Sequence, residues 1–280
     1  MNRIMQPKEK SAPVSRGIIE SDSTRILDHY NGVSRREHPA PKVITFSSAT
    51  NSDITHVEKD RITCLTMVER GYDGQYLYSI KEGGKVFVND YNEEAKVRET
   101  LQHELVHHVR RAGGASSEFD IMDALSPVTL CAMSTLEEGC AVFIQGTCGL
   151  NGRDNPQSVI KSVFKVFNSD AITLLPETYR QIRTNGTGIS FSREVSNEAI
   201  SDIVNTHGSI SFNENSSFRA RLYSAGTCFA TIIYAANDFD IVKTEKQLLT
   251  LRFDELRYEL SEAARKPEVA VAVNEIAKMA

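Results

Sequence analysis

The sequence predicts an α+β protein: a small, mostly antiparallel sheet first, then a mainly helical half. Three observations carry this. β-Branched and aromatic runs separated by glycine turns crowd residues 42–89. A long segment with start and stop signals for a helix follows at 90–112. Beyond Ser116, apolar residues recur at spacings of three and four. The chain has 280 residues, 40% of them hydrophobic and 25% charged, enough for a sizeable core in one large domain or two modest ones.

Residues 1–40 read as a partly disordered leader, broken by Pro7, Pro13, Pro39 and Pro41. Within it a short helix is expected from Ser21 to Tyr30, stopped by Asn31-Gly32. Lys42–Phe46, Ile62–Val68, Tyr76–Ser79 and Lys85–Asn89 read as strands, the last two joined by a hairpin across Gly83-Gly84. Asp90 and Glu93 have the spacing of a capping box for the next helix, which ends at Gly113-Gly114 with Arg110 and Arg111 in its last turn. Helices are then expected over Glu118–Met133, interrupted near Pro127, and from Ser134 to Gly146. Asn155 caps another, with Pro156 at its first position and Val159, Ile160, Val163, Phe164 and Phe167 on its buried face. Further helices are expected at Ser196–Thr206, Phe218–Ala236, Thr244 to Pro267, and Glu268–Ala280. Residues 207–217 read as a polar loop.

Composition excludes several classes. A formal net charge of −5 argues against a general nucleic-acid binder. The longest apolar run, Phe229–Ala236, is core-sized, so no membrane span is expected. The N-terminus lacks the apolar stretch of a Sec-type signal peptide, and a cytoplasmic location is expected. Five cysteines without a CxxC pair argue against both a disulfide scaffold and a cysteine-built zinc site.

Chemistry concentrates at His103-Glu104-Leu105-Val106-His107, an HExxH segment. On a helix, positions i and i+4 share a face, so the two imidazoles can hold one zinc ion. Glu104 follows the first ligand and can serve there as a general base for water. Val97, Leu101, Leu105 and Val109 form an apolar stripe about 200° round the helix from the histidines. One face can therefore pack on the sheet while the other presents the histidines. A surface helix with solvated histidines would carry the same letters.

A catalytic zinc site needs a third protein ligand. No histidine follows at the HExxHxxGxxH spacing, so a metzincin is excluded. Leu136-Glu137-Glu138-Gly139-Cys140-Ala141 offers two carboxylates. Ser134 and Glu137 have the spacing of a capping box, which accounts for Glu137 without a metal. Gly139 and Ala141 are small enough to let this helix approach the HExxH helix closely.

HExxH with a downstream Glu-Gly-x-Ala resembles the gluzincin metallopeptidases, with distant similarity to aminopeptidase-N-like enzymes. The resemblance implies a zincin-like fold with one Zn2+. It implies His103, His107 and Glu138 as ligands, selecting Glu138 over Glu137 because the ligand directly precedes the glycine. It implies that the strand Lys85–Asn89 forms the upper rim of the cleft. It also implies that Tyr223, in Tyr223-Ser224-Ala225-Gly226, steadies the oxyanion; an ordinary core tyrosine accounts for it equally well. The sequence departs from true aminopeptidases in lacking a GxMEN segment, the one that binds the substrate's free amine. It also lacks a large N-terminal β-domain. The resemblance covers Lys85–Ala141 and Tyr223–Ala236.

Other residues read more plainly. His108 points about 100° away from His107 and is expected to pack or to support it. His207 is a second candidate oxyanion stabiliser, although a lone loop histidine is usually just solvated. Cys140 is expected to be a buried thiol rather than a ligand. Gly146–Gly152 reads as a helix end and turn.

The expectation is a zinc metallopeptidase with Glu104 and Tyr223 catalytic and a peptide or protein as substrate. Residues 41–150 would form the catalytic core and residues 151–280 a helical lobe closing the cleft. The alternative is a non-catalytic zinc module with a regulatory or interaction role.

Overall fold

The computed structural model describes residues 12–46, 58–79, 81–117, 127–150, 154–166, 216–263 and 265–279. The expected helix at Ser196–Thr206, residues 118–126 of the one at Glu118–Met133, residues 207–215 of the loop at 207–217 and the first eleven residues lie outside these; Ser216 and Ser217 of that loop open a helix. The described elements are α1 (Arg16–Ser34), β1 (Lys42–Phe46), α2 (Glu58–Arg70), β2 (Gly74–Ser79), β3 (Gly83–Asn89), α3 (Glu94–Ala112) and α4 (Pro127–Thr147). They continue with α5 (Pro156–Lys165), α6 (Ser216–Ala236), α7 (Ile241–Thr250), α8 (Phe253–Ala263) and α9 (Pro267–Met279). The protein is α+β and mainly helical, with one three-stranded sheet among the described residues. The chain divides into two compact units: residues 1–29 with 37–108, and residues 30–36 with 109–280.

The first unit holds the sheet. Its strand order is β1-β3-β2, with β1 parallel and β2 antiparallel to β3. The sheet is therefore mixed rather than mostly antiparallel. The expected hairpin joins β2 to β3, with Ser79 opposite Gly83, where φ is +75°. Ile62–Val68, expected as a strand, lies inside helix α2. Asp60, Cys64 and Met67 are buried at helical spacing while Ile62 is exposed, a pattern that no strand alternation produces. Tertiary burial overrides the β-branched composition here. Cys64 and Met67 pack with Ile44, Phe46 and Phe87 on one face of the sheet.

Helix α3 covers the other face. Side chains alternate along a strand, so Gly84, Val86 and Val88 of β3 point away from α2. A Cβ on Gly84 would lie 2.5 Å from Nδ1 of His108. A Cβ on Gly74, which pairs with Val88, would lie 2.3 Å from Cγ2 of Thr100. Two glycines on the sheet thus let the HExxH helix come close. Val86, Phe87 and Val88 are all fully buried, as expected of a strand covered on both faces. Among the described residues β3 is the middle strand and β1 and β2 are the edges, so Lys85–Asn89 is not the edge strand that an upper-rim role would need.

Several boundaries move. α1 runs past Asn31-Gly32 to Ser34, and Arg35, at φ 55°, ends it. Ile19, Ile26, Leu27 and Tyr30 supply its buried stripe. Asp90 does not cap α3, which begins at Glu94. Its backbone instead bonds Phe46 and Val14, and burial raises its carboxyl pKa.

The second unit centres on α4 and α6. Ser134 lies inside α4 rather than at a helix start, so the capping box with Glu137 does not form. Asn155 does cap α5, accepting from Gln157 N at 2.9 Å, with Val159, Ile160, Val163 and Phe164 buried. The helix expected from Thr244 to Pro267 is two helices. Asp240 caps α7, and the chain breaks at Leu251, where ψ is 121°. The carboxylate of Glu255 then accepts from Arg252 N at 3.1 Å, half a capping box for α8.

No described helix is long and apolar enough to cross a membrane. Cys64, Cys140, Cys148 and Cys228 are free thiols.

Candidate metal centre

The local setting of α3 gives the histidines their exposure. The stripe Val97, Leu101, Leu105 and Val109 is buried, at 2% exposure or less. Between Thr100 and Arg110, every residue is buried except His103 and His107, which are half-buried. The pair is therefore not part of a solvated helix face. It is the one open stripe on the enclosed stretch of α3 between Thr100 and Arg110.

The two imidazoles are set to share a ligand. Their Nε2 atoms are 3.3 Å apart, with ring centroids 5.0 Å apart and planes at 76°. Two nitrogens bound to one tetrahedral zinc, each at about 2.05 Å, stand about 3.3 Å from each other. The donor pair thus has the span the ion requires. Without metal, the same contact is an N–H···N hydrogen bond.

Glu138 completes the group. Ligand atoms of His103, His107 and Glu138 all lie within 4.8 Å of one another. Two imidazoles and a carboxylate, half-buried, are a suitable donor set for catalytic zinc. These residues would hold the ion and leave a fourth position for water or substrate.

Glu104 is buried, at 9% exposure. Its Cγ is 3.4 Å from the point where a Gly74 Cβ would stand, so the start of β2 lies against this side chain. A Cβ at 74 would clash with Thr100 and the Phe87 carbonyl and would stand in ordinary contact with Glu104.

His108 faces away, as expected. Its Nε2 meets the carbonyl oxygen of Pro39 at 2.6 Å, and its Nδ1 lies 3.4 Å from the hydroxyl of Tyr76. Burial lowers its pKa, partly offset by the Pro39 carbonyl. It anchors α3 to the sheet. Cys140 is a buried thiol pushed up to about 12 by burial, and it is not in the group formed by His103, His107 and Glu138.

Glu137 has a partner that sequence reasoning missed. Its carboxylate takes Nε of Arg110 at 3.0 Å to each oxygen, Nη2 at 2.6 Å, and Oγ of Ser116 at 2.6 Å. Arg110 is fully buried and also donates to the carbonyls of Leu248 and Leu251. The sequence alone places Arg110 at a helix C-terminus and Glu137 at a capping-box spacing from Ser134. No local pattern joins them, because 27 positions separate the two.

Gly139 does not serve an approach to α3. A Cβ there would lie 2.2 Å from the carbonyl oxygen of Gly226 on α6, and a Cβ on Gly226 would lie 2.1 Å from that of Thr135. The glycines of the two resembling segments thus meet each other, at a close crossing of α4 and α6. Tyr223 is half-buried on α6, one turn before this crossing. His207 lies outside the described residues. Comparison with protein-family models, curated proteins and solved structures finds no match for this chain.

Proposed function

We propose that this protein is a zinc-dependent metallopeptidase of gluzincin type. The convergence of His103, His107 and Glu138, with buried Glu104 beside the first ligand, carries the reading. When bound, zinc polarises a carbonyl oxygen and lowers the pKa of water to about 7. Glu104 accepts the proton of the attacking water and passes it to the leaving amine. Tyr223 donates its hydroxyl to the oxyanion. This last role rests on the resemblance and on the position of Tyr223 one turn from Gly226, which touches the residue after Glu138. The substrate is a peptide or protein. Free thiols suit a cytoplasmic setting.

A zinc site that served only structure or binding would need no base. The test is metal analysis of the purified protein together with cleavage of a peptide library, with and without chelator. About one equivalent of zinc and chelator-sensitive cleavage are expected. Glu104→Gln keeps the zinc and loses about 100- to 10,000-fold in turnover. Unchanged turnover in that variant overturns the mechanism. Stoichiometric zinc with no cleavage assigns the protein to the non-catalytic class instead.

A further inference from the structure

We propose that Arg110 and Glu137 are positioning residues for the metal ligand Glu138. The inference rests on the metal reading above and specifies how the third ligand is held. Glu137, Glu138 and Gly139 are consecutive on α4, about 100° apart around its axis. Each faces something different. Glu137 is bound by Arg110, Glu138 reaches the two histidines, and Gly139 touches the backbone of α6.

Arg110 is on the same helix as the histidines, three residues beyond His107. The same helix therefore carries both the first two ligands and the group that binds the residue next to the third. The grip has geometry as well as charge. Two guanidinium nitrogens engage Glu137, and Nη1 and Nη2 also reach the Leu248 and Leu251 carbonyls. Those carbonyls are available because the chain breaks between α7 and α8. Arg252 N, the usual partner of Leu248 O in a continuing helix, bonds Glu255 instead.

Two consequences follow for the metal. Both oxygens of Glu137 are engaged by Arg110, and one also by Ser116, so Glu138 is the carboxylate of the pair that meets the histidines. The Arg110 charge also neutralises Glu137, which would otherwise place a second negative charge beside Glu138. Outer groups of this kind alter metal affinity about 10- to 100-fold.

A purely structural ion pair would not move metal affinity in a folded protein, and the test uses this. Arg110→Met/Glu137→Met replaces the buried pair with apolar groups of similar size, an exchange that is often neutral for stability. Zinc affinity is measured by competition with a chromophoric chelator in the wild type, this double variant and Glu137→Gln. Visible absorption of the cobalt-loaded proteins reports ligand geometry. The double variant is expected to melt as a folded protein and bind zinc about 10- to 100-fold more weakly, with an altered cobalt spectrum. Glu137→Gln is expected to weaken zinc binding in the same direction. Wild-type affinity and spectrum in a folded double variant overturn the proposal. If the double variant does not fold, Glu137→Gln decides: weaker binding supports the proposal and wild-type affinity overturns it. If the wild type binds neither zinc nor cobalt, the metal reading fails and the positioning role falls with it. That outcome is distinct from failure of the positioning role alone.

Discussion

Adjacent carboxylates on α4 face different partners, and this sets what substitutions there can report. Glu138 is half-buried beside two imidazole nitrogens. Glu137 is the counter-charge of a fully buried guanidinium. Glu138→Gln should leave the fold intact and weaken zinc binding beyond the roughly hundredfold range of supporting residues. Equilibrium dialysis against zinc and a melting curve of the metal-free protein check both halves. Glu137→Ala should instead unfold the protein readily, by about 3–5 kcal/mol, because it strands the Arg110 charge in the interior. Glutamine at 137 leaves the same charge uncompensated but keeps the shape and an amide oxygen that accepts from Arg110, so it should cost less than alanine and is the fairer probe. The HExxH segment itself was legible, since its chemistry lies within one helical turn. The Arg110–Glu137 pair was not, since its partners meet only after α3 and α4 have packed.

At the scale of elements, glycine decides which helices touch. Gly139 and Gly226 face each other where α4 crosses α6, and each would drive a Cβ into main-chain atoms that cannot rotate away. Gly226→Ala is therefore expected to cost at least about 1–3 kcal/mol in urea unfolding. Gly32 in α1 is exposed and has nothing within 4 Å of a Cβ. Gly32→Ala should stabilise by about 0.5–1 kcal/mol, so one chemical change has opposite signs at two helices. Composition had pointed to small residues at the metal helix and suggested an approach to α3. It could not say which neighbour the small face would meet. For α2 composition misled outright. Ile62–Val68 has strand-forming residues, but Cys64 and Met67 both reach the sheet's core only on a helix.

At the scale of the whole molecule, the sheet-bearing unit depends on one carboxylate. Lys42 of β1 and Lys85 of β3 lie directly opposite in the register, two like charges side by side. Asp60 of α2 accepts from both, at 3.1 and 2.8 Å. Burial opposes its charged form, but the hydrogen bonds and charges of Lys85 and Lys42 outweigh this and hold its pKa below the usual carboxylate range. A carboxyl lowered on folding contributes stability above its unfolded pKa and loses it as pH falls through the folded value. The Asp60 contribution is thus present at neutral pH and lost below about pH 4. Asp60→Asn should lower the unfolding midpoint at pH 7, by about 1–2 kcal/mol, and flatten the acid limb. Denaturant titrations at pH 7 and pH 3 check this. Equal losses at both would show that the ion pairs contribute nothing.

What the sequence determined by itself was local. Ligands one turn apart, the caps of α5 and the glycine stop of α3 are written in neighbouring residues, because hydrogen-bond rings and helical faces close within a few positions. Only the tertiary structure decided the rest: the mixed sheet with β3 at its centre, the helical state of α2, the break between α7 and α8, and the partner of Glu137. Each depends on which buried surface a segment meets, and that surface is made by residues far away in the chain. The candidate metal centre combines the two. Its histidines come from one turn of helix, and its carboxylate comes from a segment some thirty residues further along the chain.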